Sequence, residues 1–437
     1  MKKITSYSTL FALLLPAAAF GGQSLFYRTS PYPFKLTDVR FERSWLSTVN
    51  LSVMGGSTKK GYQSSTAIGN TAPDGTERNK TNALNIYGWQ NFQFLGANIA
   101  NNPGTVLYNA TLANLNALPT NGNFGYVETT GKFNYIEGDI YLAQNFTRGF
   151  FIDMNIPIVK LDVKDVAFVD QSTSTGFPNI NNADWQFLMT PANLTATLAQ
   201  YGLTAGDYSH SGIGDIVING GWTMNKEDVC DSIDFLDVTL KVGVNIPSGF
   251  KQNTDQAYSL AAGYNKHVGI PLSFDAALGF LEWMTIGAHV GGTFFVNKTQ
   301  TLRMKTSIAQ NGWIKLGLGE AKSDMGNLFE AGAFLRADHV VKGFSLGFGY
   351  LFSKQSKTTL TPTDLVKFPS VVVNSDSMLA GWNSHAITVL ADYDFAKEGR
   401  RFNPNIGIFY TQPLAGKRIF RTMTGGGYVG VNAAWDF

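Results

Sequence analysis

Two-residue alternation, sustained beyond the length of an ordinary strand, is the feature that most constrains this chain. Along 236–246, Leu236, Val238, Leu240, Val242, Val244 and Ile246 are apolar, with Asp237, Thr239, Lys241, Gly243 and Asn245 between them. Side chains of a strand point alternately to opposite faces, so such a run has one apolar and one polar face. The pattern recurs along 268–280, 286–296, 344–352, 385–395 and 429–437. Runs of about 10–13 residues exceed the roughly 5–6 of soluble sheets. They match the roughly 9–11 that a tilted strand needs to cross a bilayer.

Twelve strands follow, at 45–57, 133–146, 150–164, 214–225, 235–247, 267–281, 283–297, 327–338, 343–355, 384–395, 403–411 and 427–437. Their connections alternate. Residues 58–132, 165–213, 248–266, 298–326, 356–383 and 412–426 are long; 147–149, 226–234, 282, 339–342 and 396–402 are short. An even strand number with short periplasmic turns and long external loops defines an all-β, up-and-down antiparallel transmembrane β-barrel. Closure leaves no unpaired edge facing hydrocarbon. Residues 83–95 are open to a further strand, and a partner would then make fourteen.

Aromatic placement agrees. Trp45, Phe146, Phe150, Trp222, Phe280, Phe344, Phe395 and Trp435 fall at the short-turn ends of these strands and on the apolar parity. Aromatic rings favour the membrane–water boundary, so these eight form an expected periplasmic girdle. Composition fits the same picture. Charged residues are only 15% and apolar residues 44%, as when one face meets lipid and the other water. The formal charge of +2 gives no basic footprint for nucleic acid. The single Cys230 excludes a disulfide within the chain.

The N-terminus reads as a secretory signal. Lys2 and Lys3 precede the apolar run Leu10 to Phe20, and Ala17-Ala18-Ala19 suits cleavage. Residues 1–19 are therefore expected to be removed, leaving 20–437 as one barrel domain. Losing the two lysines brings the formal charge to zero.

Two resemblances follow. The ending Val429, Val431, Ala433, Trp435 and Phe437, at alternate positions, resembles the C-terminal strand signal of Gram-negative outer-membrane proteins. That resemblance implies recognition by the barrel-assembly machinery and residence in outer-membrane lipid. Separately, Gly212-Ile213-Gly214-Asp215-Ile216, followed later by Pro247-Ser248-Gly249, is similar to the G-x-G-D strand and P-[ST]-G turn of FadL-like and phenol-pathway outer-membrane transporters. Those are channels for hydrophobic compounds, and this resemblance implies such a substrate.

The polar parity gives the expected pore lining: Glu137, Asp139, Asp153, Asp215, Asp237, Asp275, Glu330, Asp338, Asp392 and Asp394, with Lys241, Arg336 and His289. A lumen lined this way would concentrate cations. The alternative is that inward-folding loops supply counter-charges from Lys298, Arg303, Lys305, Lys417, Arg418 and Arg421. Within 165–213, Thr190 as cap, Pro191 in the first turn and Gly202 at the end predict a short helix. It either constricts the mouth or packs outside. The 58–132 segment is long enough to carry structure of its own, and its sequence leaves plug and external cap equally open.

Catalysis is not expected. Ser384 and His385 lie on opposite faces, and Ser209-His210-Ser211 has no placeable carboxylate to complete a triad. Asp228, Asp231, Asp234 and Asp237 surround Cys230 in a turn without a loop-shaping glycine, so a solvated turn is favoured over a metal site. No cofactor is implied. The expected function is passive passage of small solutes or ions, with mild cation preference. The rivals are a non-conducting structural or adhesive barrel and a channel for hydrophobic compounds.

Overall fold

The computed structural model describes residues 45–62, 80–88, 90, 92–101, 127–170, 191–230, 232–281, 283–395 and 401–435. The signal segment 1–19, Thr190, Asp231 and Phe437 lie outside them.

Twelve long strands form the wall. They are β1 (Leu46–Thr58), β2 (Val127–Asn145), β3 (Phe150–Asp170), β4 (Ile216–Cys230), β5 (Ile233–Ile246) and β6 (Gly269–Phe280). The second half comprises β7 (Met284–Phe295), β8 (Leu328–Val341), β9 (Phe344–Gln355), β10 (Trp382–Asp394), β11 (Phe402–Lys417) and β12 (Met423–Ala434). Each pairs antiparallel with its neighbours in sequence, and β1 closes on β12 from Leu46↔Ala434 to Ser57↔Met423. All twelve expected strands are present and the barrel is closed. Among the described residues no helix is long and apolar enough to cross a membrane.

The alternation separates two environments. Val49, Leu51 and Val53 of β1 are exposed on the outside, whereas Thr48, Asn50, Ser52 and Met54 are buried within. An apolar outer face this extensive is unstable in water and fits lipid.

The 83–95 segment is not a strand, so the fourteen-strand alternative does not hold. A 3-10 turn at Ala83–Tyr87 is capped by Asn82, whose Oδ1 accepts from Leu84 N at 3.3 Å. Helix α1 (Phe92–Ala100) follows. Helix α2 (Pro191–Ala199) forms where Pro191 and Gly202 predicted it. Its end is closed by Leu203 N donating to Leu198 O at 3.0 Å, with Gly202 at φ +63°.

These pieces fold into the barrel at its long-loop end. Leu84, Leu95, Ile99, Leu194 and Leu198 are each fully buried. They share one apolar core with inward residues of the wall, Phe133, Tyr135, Leu161 and Val163. The plug is tied to the wall by a small sheet in which Lys60–Tyr62 pairs with Lys80–Asn82 and with Ile419–Phe420. Arg303 of the strand Lys298–Met304 fastens α2, donating from Nη2 to the carbonyls of Tyr201 and Gly202 at 3.0 and 2.8 Å.

Candidate functional site: the filled lumen and its mouth

Toward the short-turn end, the inner wall is polar. Glu137, Asp139, Asp153, Asp237, Lys241, Asp275, His289, Glu330, Arg336 and Asp392 all face inward and are buried. Asp338 and Asp394 lie on the same parity nearer the short-turn rim. Their burial is a finding in itself, because these side chains pack against one another instead of lining a wide aqueous bore. Lys241 Nζ lies 3.3 Å from Asp153 Oδ2, and Asn219 Nδ2 donates to Asp153 Oδ1 at 2.6 Å. His289 Nδ1 is 2.6 Å from Asp275 Oδ1. Arg336 pairs with Asp338 at 2.7 Å and Asp392 at 2.9 Å. Asp139 accepts from Ser52 and Asn155, and Glu330 accepts from Ser353 at 3.1 Å.

Breaking one of these pairs leaves a charge buried and uncompensated, which costs roughly 3–5 kcal/mol. Arg336→Leu, which strips both Asp338 and Asp392 of their cation, is expected to lower unfolding stability by about that amount. Urea titration in detergent micelles, followed by intrinsic fluorescence, measures it. A loss below about 1 kcal/mol would show that the pair is solvated.

The loop cations are directed at backbone and side-chain oxygens within the loops. Lys305 Nζ donates to Ile308 O, Asn311 Oδ1 and Ser375 Oγ at 3.0–3.1 Å. Lys298 Nζ donates to Lys266 O at 3.4 Å. Arg418 donates to the carbonyls of Ala380 and Met378. Lys417 and Arg421 flank the small sheet at the same end. Arg303 has one carboxylate nearby, Asp255 at 3.8 Å.

Asp215 stands apart from the lumen lining. The wall is broken at Gly214-Asp215: β3 pairs with β4 as far as Asn155↔Val217, then with the short strand Tyr208–Ile213 from Ile158↔Ile213. Asp215 fastens the break. Its Oδ1 accepts from Gly249 N at 2.9 Å, and its Oδ2 from Tyr264 N at 2.7 Å and Asn245 Nδ2 at 3.2 Å. Ser248 Oγ donates to Gly214 O at 2.6 Å and accepts from Ile216 N at 3.0 Å. The two motifs are thus halves of one knot. Glycine is required in it: a Cβ on Gly249 would lie 1.7 Å from Ala262 O, and Gly263, at φ +120°, abuts the Asp215 carboxyl. The break also explains why β4 begins at 216 instead of 214.

Trp45, Phe146, Phe150, Trp222, Phe280, Phe344, Phe395 and Trp435 lie toward the short-turn end of the wall. Trp45 packs edge-on against Phe146 with centroids 5.8 Å apart, and Trp222 stands opposite Phe150. Phe395 packs beside Tyr393, and Trp435 beside Phe402. Phe280 and Phe344 close β6 and open β9. On β12, Val429 and Val431 are exposed outward, while Ala433, of the same parity, is covered between Ser47 and Phe402.

Ser384 is buried inside and His385 faces out, where its Nδ1 lies 2.6 Å from Tyr350 Oη. Ser209 donates to Asp162 Oδ1 at 2.5 Å, and His210 packs edge-on to Phe250. Neither constellation brings a serine and a histidine together.

A cavity of about 230 Å³ opens at the mouth, above the plug. Segments 86–87, 252–265, 355–358 and 378–382 line it, together with Met325 and Arg418. None of these was singled out as a binding residue by motif or spacing. The cavity is assembled from separated loops, and only Arg418 carried a local signal, as a candidate loop cation.

A closed twelve-strand barrel, apolar outside and polar within, is an outer-membrane β-barrel fold. An outer-membrane channel from Pseudomonas putida F1 superposes with a TM-score of 0.50 at 10% identity, over 93% of this chain and 100% of that one. The Pseudomonas putida toluene transporter TodX aligns over 95% of each chain at 10% identity, with a TM-score of 0.29. A Pseudomonas aeruginosa FadL homologue aligns over 91% of each at 7% identity, with a TM-score of 0.31. At these scores the last two are too distant to bear on the fold. No protein-family model matches the sequence, and no curated protein matches it.

Proposed function

We propose that the chain is a channel of the bacterial outer membrane for small organic solutes, held closed in this conformation by the loops folded into its lumen. The cavity at the mouth carries this reading. It is a concave, mainly apolar site with a few polar groups, placed where a solute arriving from the long-loop side would meet the plug. At about 230 Å³ it lies below the roughly 300–1,000 Å³ of drug-sized sites, so it suits a small molecule. The similarity of fold to a Pseudomonas putida outer-membrane channel supports a transport role. Lipid, the assembly machinery and small solutes are the partners this reading implies.

Reconstituted protein is expected to permit slow liposome swelling with the smallest sugars and amino acids and none with larger ones. Complete impermeability, in wild type and in a variant with a loosened plug, would favour the non-conducting structural barrel. A second expectation concerns charge. The inward carboxylates outnumber Lys241, Arg336 and His289, while Lys298 and Arg418 are turned to backbone oxygens and Lys305 to Ile308 O, Asn311 Oδ1 and Ser375 Oγ. Any ionic current is therefore expected to prefer cations. Reversal potentials across a salt gradient measure this, and anion preference would refute it.

A further inference from the structure

We propose that the outer face of the wall, at the long-loop ends of β9, β10 and β11, is a binding site for a phosphorylated glycolipid of the surrounding leaflet, whose phosphomonoester is received by Lys354, Lys417 and His385. This goes beyond the channel reading and rests only on the barrel lying in the outer membrane.

The register assembles the patch. Lys354 pairs with Asn383, and Asn383 with Lys417, so the three stand in one row across adjacent strands. Neighbouring strands lie about 4.8 Å apart, which separates the two lysine Cα atoms by roughly 10 Å. Their flexible four-carbon stems can converge on one group from either side. His385 stands two residues along β10 on the same face, with Phe352 and Ala415 as its cross-strand neighbours. The Phe352 ring packs against it, with centroids 4.8 Å apart, while Ala415 presents only a methyl group on the other side.

Charge and position point to an anion at the membrane surface. No aspartate or glutamate falls on the outward parity of β8, β9, β10 or β11. Lys354 is exposed and makes no ion pair among the described residues. The lysines of β3 differ, because Lys160 and Lys164 share Asp162 at 3.9 and 3.6 Å. Next to the patch, toward the short turns, Tyr350, Phe348, Leu346 and Val389 are exposed on the lipid-facing side. The basic row therefore stands where the apolar band gives way to the long loops.

His385 adds an independent indication. An ionisable side chain on a lipid-facing wall is costly unless it meets polar partners. Its Nδ1 lies 2.6 Å from Tyr350 Oη. With the phenol donating, Nε2 carries the proton and is left to donate to an acceptor. Two ammonium groups and an imidazole N–H suit a phosphomonoester, which carries about −1.5 to −2 charge at neutral pH. The single charge of a phospholipid diester is a poorer match. A glycolipid bearing phosphomonoesters also brings acyl chains, which would lie along Tyr350, Phe348 and Leu346.

Thermophoresis of the full-length protein in non-ionic detergent tests the site, with a fluorophore on Cys230, which is exposed beside a short turn at the opposite end. Purified diphosphoryl lipid A is the probe and phosphatidylglycerol the singly charged comparison. Lipid A is expected to bind at least tenfold more tightly than phosphatidylglycerol. The double variant Lys354→Gln, Lys417→Gln is expected to weaken lipid A about tenfold. Glutamine keeps most of each stem, and folding is checked by electrophoretic mobility before heating. Lys160→Gln with Lys164→Gln is expected to leave the affinity unchanged, and millimolar inorganic phosphate is expected not to displace the lipid. Equal affinity for phosphatidylglycerol, or full lipid A affinity in the folded Lys354→Gln, Lys417→Gln protein, would overturn the site. An equal loss in the Lys160 and Lys164 variant would overturn it too, as would displacement by inorganic phosphate, which would assign the patch to a free anion. Liposome swelling bears on the channel reading alone, so the two can fail separately.

Discussion

Replacing Leu84 with aspartate is expected to open the barrel further, raising the swelling rate of reconstituted liposomes with small sugars at least tenfold over the slow wild-type rate. Leu84 is fully buried in the core shared by the plug and the wall. Its Cδ1 approaches Gly131 so closely that a Cβ there would lie 2.6 Å away. A carboxylate at this point enters the apolar core that also contains Phe133, Leu161 and Val163. Desolvating an unpaired charge costs several kcal/mol, more than a short 3-10 turn and one nine-residue helix can resist. The wall is unaffected in principle, because its strands are held by ladders on both sides. Plug release and barrel integrity are therefore separable. The folded barrel is monitored by its anomalous electrophoretic mobility before heating, and release by new trypsin cleavage after Lys80. Cleavage at Lys80 without a rise in permeability would show that the plug does not close the pathway.

Asp215→Ala is expected to lower unfolding stability by about 4 kcal/mol. Its carboxylate accepts from two backbone amides, of Gly249 and Tyr264, and from the Asn245 side chain. Each buried donor left without an acceptor costs about 1–3 kcal/mol. Alanine strands all three at a place where the wall is already interrupted. Asp215→Asn keeps one acceptor oxygen and is expected to lose about half as much. Urea midpoints in micelles rank the three proteins. A ranking in which Asp215→Ala stays within 1 kcal/mol of wild type would mean that the Ser248 bonds hold the break alone.

The wall was legible in the sequence because lipid permits no exception. Every outward residue across the apolar band must be apolar, and the alternation carries that demand directly. Legibility fails where the band ends. Strands β2 and β3 run to Val127 and Asp170, beyond the expected 133 and 164, because outside the band their outward residues, such as Glu128, Lys132 and Lys164, are polar. The fourteen-strand alternative at 83–95 fails for a related reason. A helix buried on all sides has no polar face, so 83–95 shows the same apolar density as a strand. Helix α2 was readable because Pro191 and Gly202 mark its limits locally. The polar parity names the side chains of the inner face, yet parity carries no information about whether they meet water or each other. Asp215 illustrates that limit: a motif singled it out, and only the folded loops 246–249 and 262–264 reveal its partners. The mouth cavity draws on residues from 86 to 418, of which only Arg418 carried a local signal.

The seam between β1 and β12 has a consequence for how the barrel is made. Leu46 pairs with Ala434 and Ser57 with Met423, so the closing ladder joins residues almost a full chain apart. Every other wall ladder joins strands adjacent in sequence and can form as a hairpin with a modest loop-closure cost. Until β12 arrives, the growing wall is an open curved sheet with two bare edges, at β1 and β11, both able to pair with a foreign strand. Addition of β12 covers both edges in one event, since it pairs with β11 on one side and β1 on the other. A substitution in β12 therefore bears on the closing seam as well as on a local hairpin, whereas one in β6 bears on local hairpins alone.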